Sequence, residues 1–271
     1  ILTRGCGGKS KKPVNVVCDG KEILLSPEWV GDEAVMMAEK LKNVPILTGP
    51  DRFQTGRYAL KNYEIDTLIL DDGFQHLALC RDLDILLCDH QRPLGNNHLF
   101  PAGELREPAS ETRRADMVCF TRYSGGGIKF SPKFLSSIPQ IKTHLRLDSI
   151  INMENGDVCD AEVLKCQPVI AFCGIANPEG FRQILQDVQV QLKMFKAFPD
   201  HHEYSLNDIK ELESIASQEG VKFILVSEKD AVKLKNMKLS LPFFKVVIDL
   251  EILEGREIFN KKITTTSRGD N

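Results

Sequence analysis

The chain lacks four things: a Cys-x-x-C pair, a long apolar run, an excess of charge of either sign and a complete phosphate-binding loop. Each absence closes off a class of function. The eight cysteines (Cys6, Cys18, Cys80, Cys88, Cys119, Cys159, Cys166 and Cys173) are scattered through 271 residues. At that spacing they outline neither a zinc knuckle nor a disulfide framework. Several lie in apolar strand-like runs, Cys88 in DILLCD and Cys173 in PVIAFCG. They read as reduced, buried thiols of a cytosolic protein. No run approaches the roughly 18–20 apolar residues that a membrane-spanning helix needs, and no signal-peptide pattern is present. With 35 basic and 38 acidic residues the formal net charge is −3, which leaves no electrostatic footprint for nucleic acid. Nothing in the sequence marks a protein partner.

The missing phosphate loop is instructive because the chain opens on a near-match, ILTRGCGGKS. A P-loop has the form Gly-x-x-x-x-Gly-Lys-Ser/Thr and opens directly into a helix whose N-terminal amides hold phosphate. Gly8-Lys9-Ser10 supplies the end of that pattern, but position 3 is Thr3. Pro13 and an alternating apolar run follow, and they predict a strand. The chain begins at Ile1, already inside a strand-like stretch, and the expectation is a fragment with residues preceding it.

What is present is an ordinary globular composition, 42% hydrophobic and 27% charged, long enough for one large or two modest domains. PILTG, DTLILDDG, DLDILLCD and DMVCFTR read as buried strands, while GDEAVMMAEKLKN and DRFQTGRYALKNY carry apolar residues at helical spacing. This alternation predicts a mostly parallel sheet covered by helices. A Gly/Ser-rich break at 122–140 marks the candidate linker. KTHLRLDSIINMENGDVCD then reads as a hairpin turning near Asn155-Gly156. The α/β rhythm resumes with strand PVIAFCG, helix NPEGFRQILQDV, strand VQLKMF, helix LNDIKELESIASQ and strands KFILVS and FKVVIDL. Two α/β domains are expected, 1–138 and 139–271, the second smaller and including the hairpin. The tail TTTSRGDN is polar and reads as frayed.

Four segments carry candidate chemistry. In LILDDGFQH an apolar run ends in Asp71-Asp72, as an acid placed to hold Mg²⁺ at a strand end would be, or as a common Asp-Gly turn would be. Gln75 and His76, which a turn does not need, favour the site. In GDEA, Asp32 and Glu33 open a helix, where acids also serve simply to complement the dipole. The loop at 93–108 is long, rich in Gly, Pro and Asn, and carries Leu94, Leu99, Phe100 and Leu105. It reads as a structured binding loop, with Arg106 a phosphate-facing candidate. Arg113 and Arg114 follow as either ligands or solvated charges. In FPDHHEY the adjacent His201 and His202 have the wrong spacing for a helical zinc pair. A histidine there could assist a catalytic carboxylate, or the segment could be a capped loop.

These segments are not independent. TRGCGGK at 3–9, GDEA at 31–34, LDDGFQH at 70–76, RPLGN at 92–96, LFPAGELREP at 99–108, GIANPEGF at 174–181, FPDHHEY at 198–204 and SEKDAVKL at 227–234 stand in one order. In that order and spacing the chain resembles the tetraacyldisaccharide 4′-kinases of lipid A synthesis, over residues 2–250. The resemblance implies a P-loop NTPase-like α/β domain and a smaller second domain. It also implies transfer of the ATP γ-phosphate to the 4′-hydroxyl of a tetraacylated glucosamine disaccharide 1-phosphate. By the same resemblance Asp32 helps deprotonate that hydroxyl and His201 supports it. Asp71 and Asp72 serve nucleotide and Mg²⁺ with Gln75 and His76 beside them, and Glu33 joins the metal set. Arg52, Arg106 and Glu107 match the substrate and nucleotide cleft. The implied location is the cytoplasmic face of the bacterial inner membrane, by peripheral contact.

Cys6 stands where the family usually has Tyr and Glu104 where it usually has Pro. The larger departure is the missing P-loop lysine and hydroxyl, which the resemblance places upstream of Ile1. Two other readings stand beside the kinase. One is a catalytically impaired homologue or fragment that binds nucleotide or lipid precursor. The other is a zinc hydrolase using His201, His202 and a carboxylate.

Overall fold

The computed structural model of the chain describes residues 1–123, 125, 135–235 and 237–267. Most of the expected linker at 122–140 lies outside these residues, as does Arg268-Gly269-Asp270 of the tail. In chain order the elements are β1 (Leu2–Thr3), β2 (Asn15–Asp19), α1 (Pro27–Val30), α2 (Asp32–Lys40), β3 (Pro45–Thr48), α3 (Arg52–Asn62), β4 (Ile85–Asp89) and β5 (Met117–Thr121). There follow β6 (Gln140–Asn152), β7 (Val158–Asp160), β8 (Pro168–Cys173), α4 (Pro178–Asp187), β9 (Gln191–Ala197), α5 (Leu206–Gln218), β10 (Ile224–Ser227), α6 (Glu228–Leu234), β11 (Phe243–Glu254) and α7 (Arg256–Ser267).

The chain gathers into two compact units, residues 1–73 with 147–249, and residues 74–146 with 250–271. Each is made of two stretches, so the units are cut differently from the expected 1–138 and 139–271. The reason is that β6 and β11 are long and each belongs partly to both units.

In the first unit, β8, β9, β10 and the start of β11 pair in parallel, in the order β9-β8-β10-β11. Helices α4 and α5 make the connections on either side of β9. The chain moves outward from β8 to β9 and returns to pair β10 on β8's other edge. The carboxyl ends of β8 and β10 thus border a topological switch point, where α/β sheets open a crevice for ligands. The core here is aromatic: Phe172 meets Phe243 at 6.1 Å, Phe198 at 6.0 Å and Tyr204 at 5.3 Å, all edge to face. Burying a side chain of that size contributes about 1.5–3 kcal/mol. The expected hairpin is present, with Ser149 opposite Asp160 and Ile151 opposite Val158. A separate three-stranded sheet, β1-β3-β2, carries α2 and α3.

The second unit contains parallel β4 and β5, with β5 pairing the start of β6. Strand β4 is only half buried. Cys88 faces inward and Leu87 is 64% exposed, where a fully buried run was expected.

Three other expectations are corrected. DTLILDDG makes a single bridge, Leu2 to Leu70, because β1 is two residues long and offers no further partner. Leu68 and Leu70 pack inward beside Leu2 and Leu47 while Ile69 faces solvent, which is the period-two alternation of an edge. The tail is helical through Ser267 because Phe259 packs against Met117, Cys119 and Ile141. In the loop at 93–108 only Leu94 among the four apolar residues is buried, and Phe100 stands 81% exposed. Backbone bonds, such as Phe100 N–H to the Leu105 carbonyl at 2.9 Å, shape that loop. Of the cysteines, all are free; Cys18, Cys88, Cys119 and Cys173 are buried as read, whereas Cys6, Cys80 and Cys166 are exposed.

Candidate active site

Gly8-Lys9-Ser10 is a decoy in structure as in sequence. Its amides at Lys9 and Ser10 already donate to the carbonyls of Glu28 and Trp29 at 3.0 Å, so they cannot cradle a phosphate. The next element is β2, not a helix. The loop instead closes over the start of α2. Gly31 has φ 90°, and a Cβ there would lie 2.3 Å from the Cys6 carbonyl oxygen. Only glycine allows this approach. Gly7 favours glycine through its φ of 80°, and it lies beside the His201 ring, whose Nδ1 would be in ordinary contact, 3.6 Å, with an added Cβ.

Gly31 ends α1 and caps α2 without a side chain, so Asp32 becomes the first helical residue, not the cap. Its carboxylate is turned to other partners and is only 3% exposed. Lys233 Nζ lies 2.9 Å from Oδ2, and His201 Nδ1 lies 3.1 Å from both oxygens. Burial pushes the Asp32 carboxyl up, but the hydrogen bond and charge of Lys233, with the charge of Lys229 and the imidazole of His201 beside it, reverse this and hold it below its ordinary value. The carboxylate is ionised and aimed.

His201 reaches Asp32 from the turn after β9. Its φ of 59° is unusual for a residue with a Cβ. The turn is held by the His201 amide donating to the Gly174 carbonyl at 3.2 Å and to Asp200 Oδ1 at 3.0 Å. His202 points elsewhere. It stacks on Phe198 at 4.6 Å and meets Asp208 at 3.4 Å. The two histidines therefore do not converge on one metal.

Helix α6 follows β10 directly and packs on α2 through Val232. Ser227 caps it by accepting from the Asp230 amide. Asp230, fully buried, accepts from the Gly174 amide at 2.8 Å and so ties the end of β8 to the start of α6. Lys229 and Lys233, one turn apart on one face, reach toward α2. Lys229 Nζ donates to Glu33 at 3.1 Å and to Asp200 at 3.0 Å, and lies 3.3 Å from His201 Nε2. Burial lowers its pKa, and Asp200, Asp32 and Glu33 together outweigh burial and raise it. Sequence reading left these two lysines without a role. The available signal was S-x-x-D after an apolar strand, with lysines four apart behind it.

Asp32, Glu33 and His201 offer one donor atom each within 4.8 Å of one another, which is a conceivable cation site. Lys229 and Lys233 already neutralise it. The other acids lie in the same unit. Asp71 accepts from the Thr3 hydroxyl at 2.8 Å, and Asp72 sits at φ 48° in the Asp-Gly turn. Both act on the Arg52 guanidinium, supporting a charge that burial and Arg4 weaken. Arg52 is 4% exposed, donates to the Gly49 and Pro50 carbonyls, and keeps a buried Nε without a protein partner.

The remaining predicted residues belong to the second unit. Gln75 donates to Glu107 at 3.2 Å. Glu107 also receives a bidentate pair from Arg114, at 2.9 and 3.1 Å, which holds its carboxyl below the usual range. Arg114 stacks over Phe74 at 4.5 Å and is thus a structural charge, not a solvated one. His76 has a buried Nε2 without a protein partner, and Arg106 is exposed.

The sequence matches the family described as LpxK, tetraacyldisaccharide-1-P 4'-kinase, over residues 1–267. The chain belongs to the tetraacyldisaccharide-1-P 4'-kinase family. Similar members include a tetraacyldisaccharide 4'-kinase of Syntrophus aciditrophicus, 40% identical over 93% of this chain and 71% of that protein. One of Pelobacter propionicus is 38% identical over 88% of this chain and 65% of its own length. The crystal structure of LpxK from Aquifex aeolicus in complex with ATP superposes with a TM-score of 0.78, at 32% identity, over 98% of this chain and 78% of that one. That likeness also establishes the α/β kinase fold expected for this family member.

Proposed function

We propose that the chain carries out its family's reaction, transfer of the γ-phosphoryl group of ATP to the 4′-hydroxyl of tetraacyldisaccharide 1-phosphate. In this reading Asp32 takes the hydroxyl proton as the 4′-oxygen bonds to the γ-phosphorus and the bridge to the β-phosphate breaks, releasing ADP. The observation that carries the reading is the buried Asp32 carboxylate, kept ionised by Lys233 at 2.9 Å and aimed by His201 at 3.1 Å. A base must be ionised before it can accept a proton, and fixed before it can accept it from one hydroxyl.

Mg²⁺ suits the donors near Arg52. Asp71 and Asp72 offer hard carboxylate oxygens, which this ion prefers, and they would hold it; Glu33 would join only by leaving Lys229. When bound, the ion supplies charge neutralisation for the phosphates. Arg52 lies beside both acids in the electrostatic sense, with its unpartnered Nε left for an anion. Gln75, His76, Arg106 and Glu107 keep the nucleotide and substrate roles that the resemblance implies. The lipid substrate implies peripheral contact with the cytoplasmic face of the inner membrane. Among the described residues no helix is long and apolar enough to cross one.

The test is ³²P transfer from ATP to the tetraacyl disaccharide 1-phosphate in detergent micelles with Mg²⁺. It uses this chain and the chain extended upstream by its own coding sequence. Transfer is expected of the extended form, which by the resemblance supplies the P-loop lysine and hydroxyl, and in it Asp32→Asn should lower turnover by about 10²–10⁴-fold with ATP affinity nearly unchanged. No transfer by either form, with ATP still bound, would overturn the kinase reading in favour of a nucleotide- or lipid-binding module.

A further inference from the structure

Lys229 is the group around His201 whose donors and acceptors do not balance unless the imidazole has one particular form. An ammonium carries three N–H donors and no acceptor. Three atoms stand within reach of Lys229 Nζ: Asp200 Oδ1 at 3.0 Å, Glu33 Oε1 at 3.1 Å and His201 Nε2 at 3.3 Å. The first two are carboxylate oxygens. The third contact is a hydrogen bond only if His201 Nε2 is bare and accepts. The imidazole proton then sits on Nδ1, where it faces both oxygens of Asp32 at 3.1 Å. The opposite tautomer would set an Nε2 proton against the ammonium and an Nδ1 lone pair against the carboxylate, which repels at both ends. No other acceptor rescues it, since Asp200 Oδ2 is 3.7 Å from Nε2, beyond hydrogen-bonding distance.

We propose that Lys229 is a positioning residue that fixes His201 as the neutral Nδ1–H tautomer, so that the ring donates to Asp32 and orients it. The orientation of a histidine is commonly set this way, by the bond its other nitrogen makes. Lys233 and Lys229 then divide the work along one face of α6: Lys233 touches the carboxylate, and Lys229 acts through the ring. The side chain of Lys229 is 12% exposed, so water does not readily replace it. The catalytic consequence rests on the reading of Asp32 as the base; the tautomer does not.

The experiment therefore has two arms. The first is two-bond ¹H–¹⁵N correlation spectroscopy of ¹⁵N-histidine-labelled protein without substrate, with His201 identified by the signals lost in His201→Asn. The expected wild-type pattern is a protonated Nδ1 and a bare Nε2, and Lys229→Met should lose it. Lys229→Arg, which keeps a donor toward Nε2, should retain it. The second arm is steady-state transfer. Lys229→Met should lower kcat about tenfold or more with KM little changed, and Lys229→Arg should recover part of the loss. A wild-type His201 that is Nε2–H or doubly protonated overturns the proposal, as does a Lys229→Met protein that keeps the Nδ1–H form. If Lys229→Met does not fold, the wild-type spectrum and Lys229→Arg still decide it. A Lys229→Met protein whose tautomer switches, when the extended wild-type chain transfers no phosphate, would sink the kinase reading and leave the role of Lys229 standing.

Discussion

A buried carboxylate stays ionised only while its partners outweigh the loss of water. At Asp32 the balance depends on Lys233 more than on any other partner. The folded-state pKa is depressed, so the stabilisation is present above the unfolded value, about 3.9, and is lost as pH falls through the folded one. Lys233→Met should thus lower stability by about 1–3 kcal/mol at neutral pH. The gap to wild type should close in strongly acid solution, below the ordinary aspartate range. Denaturant titrations across that range check it; a gap independent of pH would mean that Lys233 acts through packing. At the neighbouring histidines the geometry separates two roles. His201→Ala should lower turnover by about 10²-fold or more. His202→Ala loses a stack on Phe198, an edge contact with Tyr204 and a bond to Asp208, and should cost about 1 kcal/mol of stability with turnover near wild type. Equal kinetic effects would show that the wrong ring has been assigned.

Among the elements, α5 and α6 show how caps set the site. Helix α5 starts with a complete capping box, Ser205 accepting from the Asp208 amide and Asp208 accepting from the Ser205 amide. Asp208 is also the partner of His202, so the box holds the second histidine away from the first. Ser205→Ala should destabilise the protein by about 1 kcal/mol, read as a shift in denaturant midpoint with unchanged slope. A neutral result would mean that the helix start is held by packing on Phe198 and Phe172 alone. Helix α6 is seven residues long and stands on the end of β10 through Ser227 and Asp230. A helix this short owes its stability to packing, here Ala231 and Leu234 in one core and Val232 against α2. That packing is what carries its lysines to Asp32.

Over the whole molecule, the regular elements were largely legible because each repeats a local signal. The strands β8, β9 and β10 and the helices α2, α3, α4 and α5 all follow apolar periodicity. The readings that failed did so for non-local reasons. DTLILDDG has a strand's alternation but borders a two-residue partner, and the polar tail becomes helical because Phe259 finds a core elsewhere in its unit. The make-up of each unit from two stretches is likewise non-local, since β6 and β11 are each continuous in the chain and shared in space.

Family membership, the acid-rich segments and the pairing of one histidine with Asp32 followed from residue order and from resemblance. The resemblance chose His201 over His202, but only the tertiary structure supplied the physical reason, turning one ring to Asp32 and the other to Phe198; it also made Asp32 a buried ionised carboxylate and gave the lysines of SEKDAVKL a task. The physical reason is range. Periodicity, caps and turns act over a few residues and are written locally. The charge state and direction of a side chain depend on groups brought to within about 3 Å, and Asp32 and Lys233 are separated by most of the chain until β10 and α6 set them side by side.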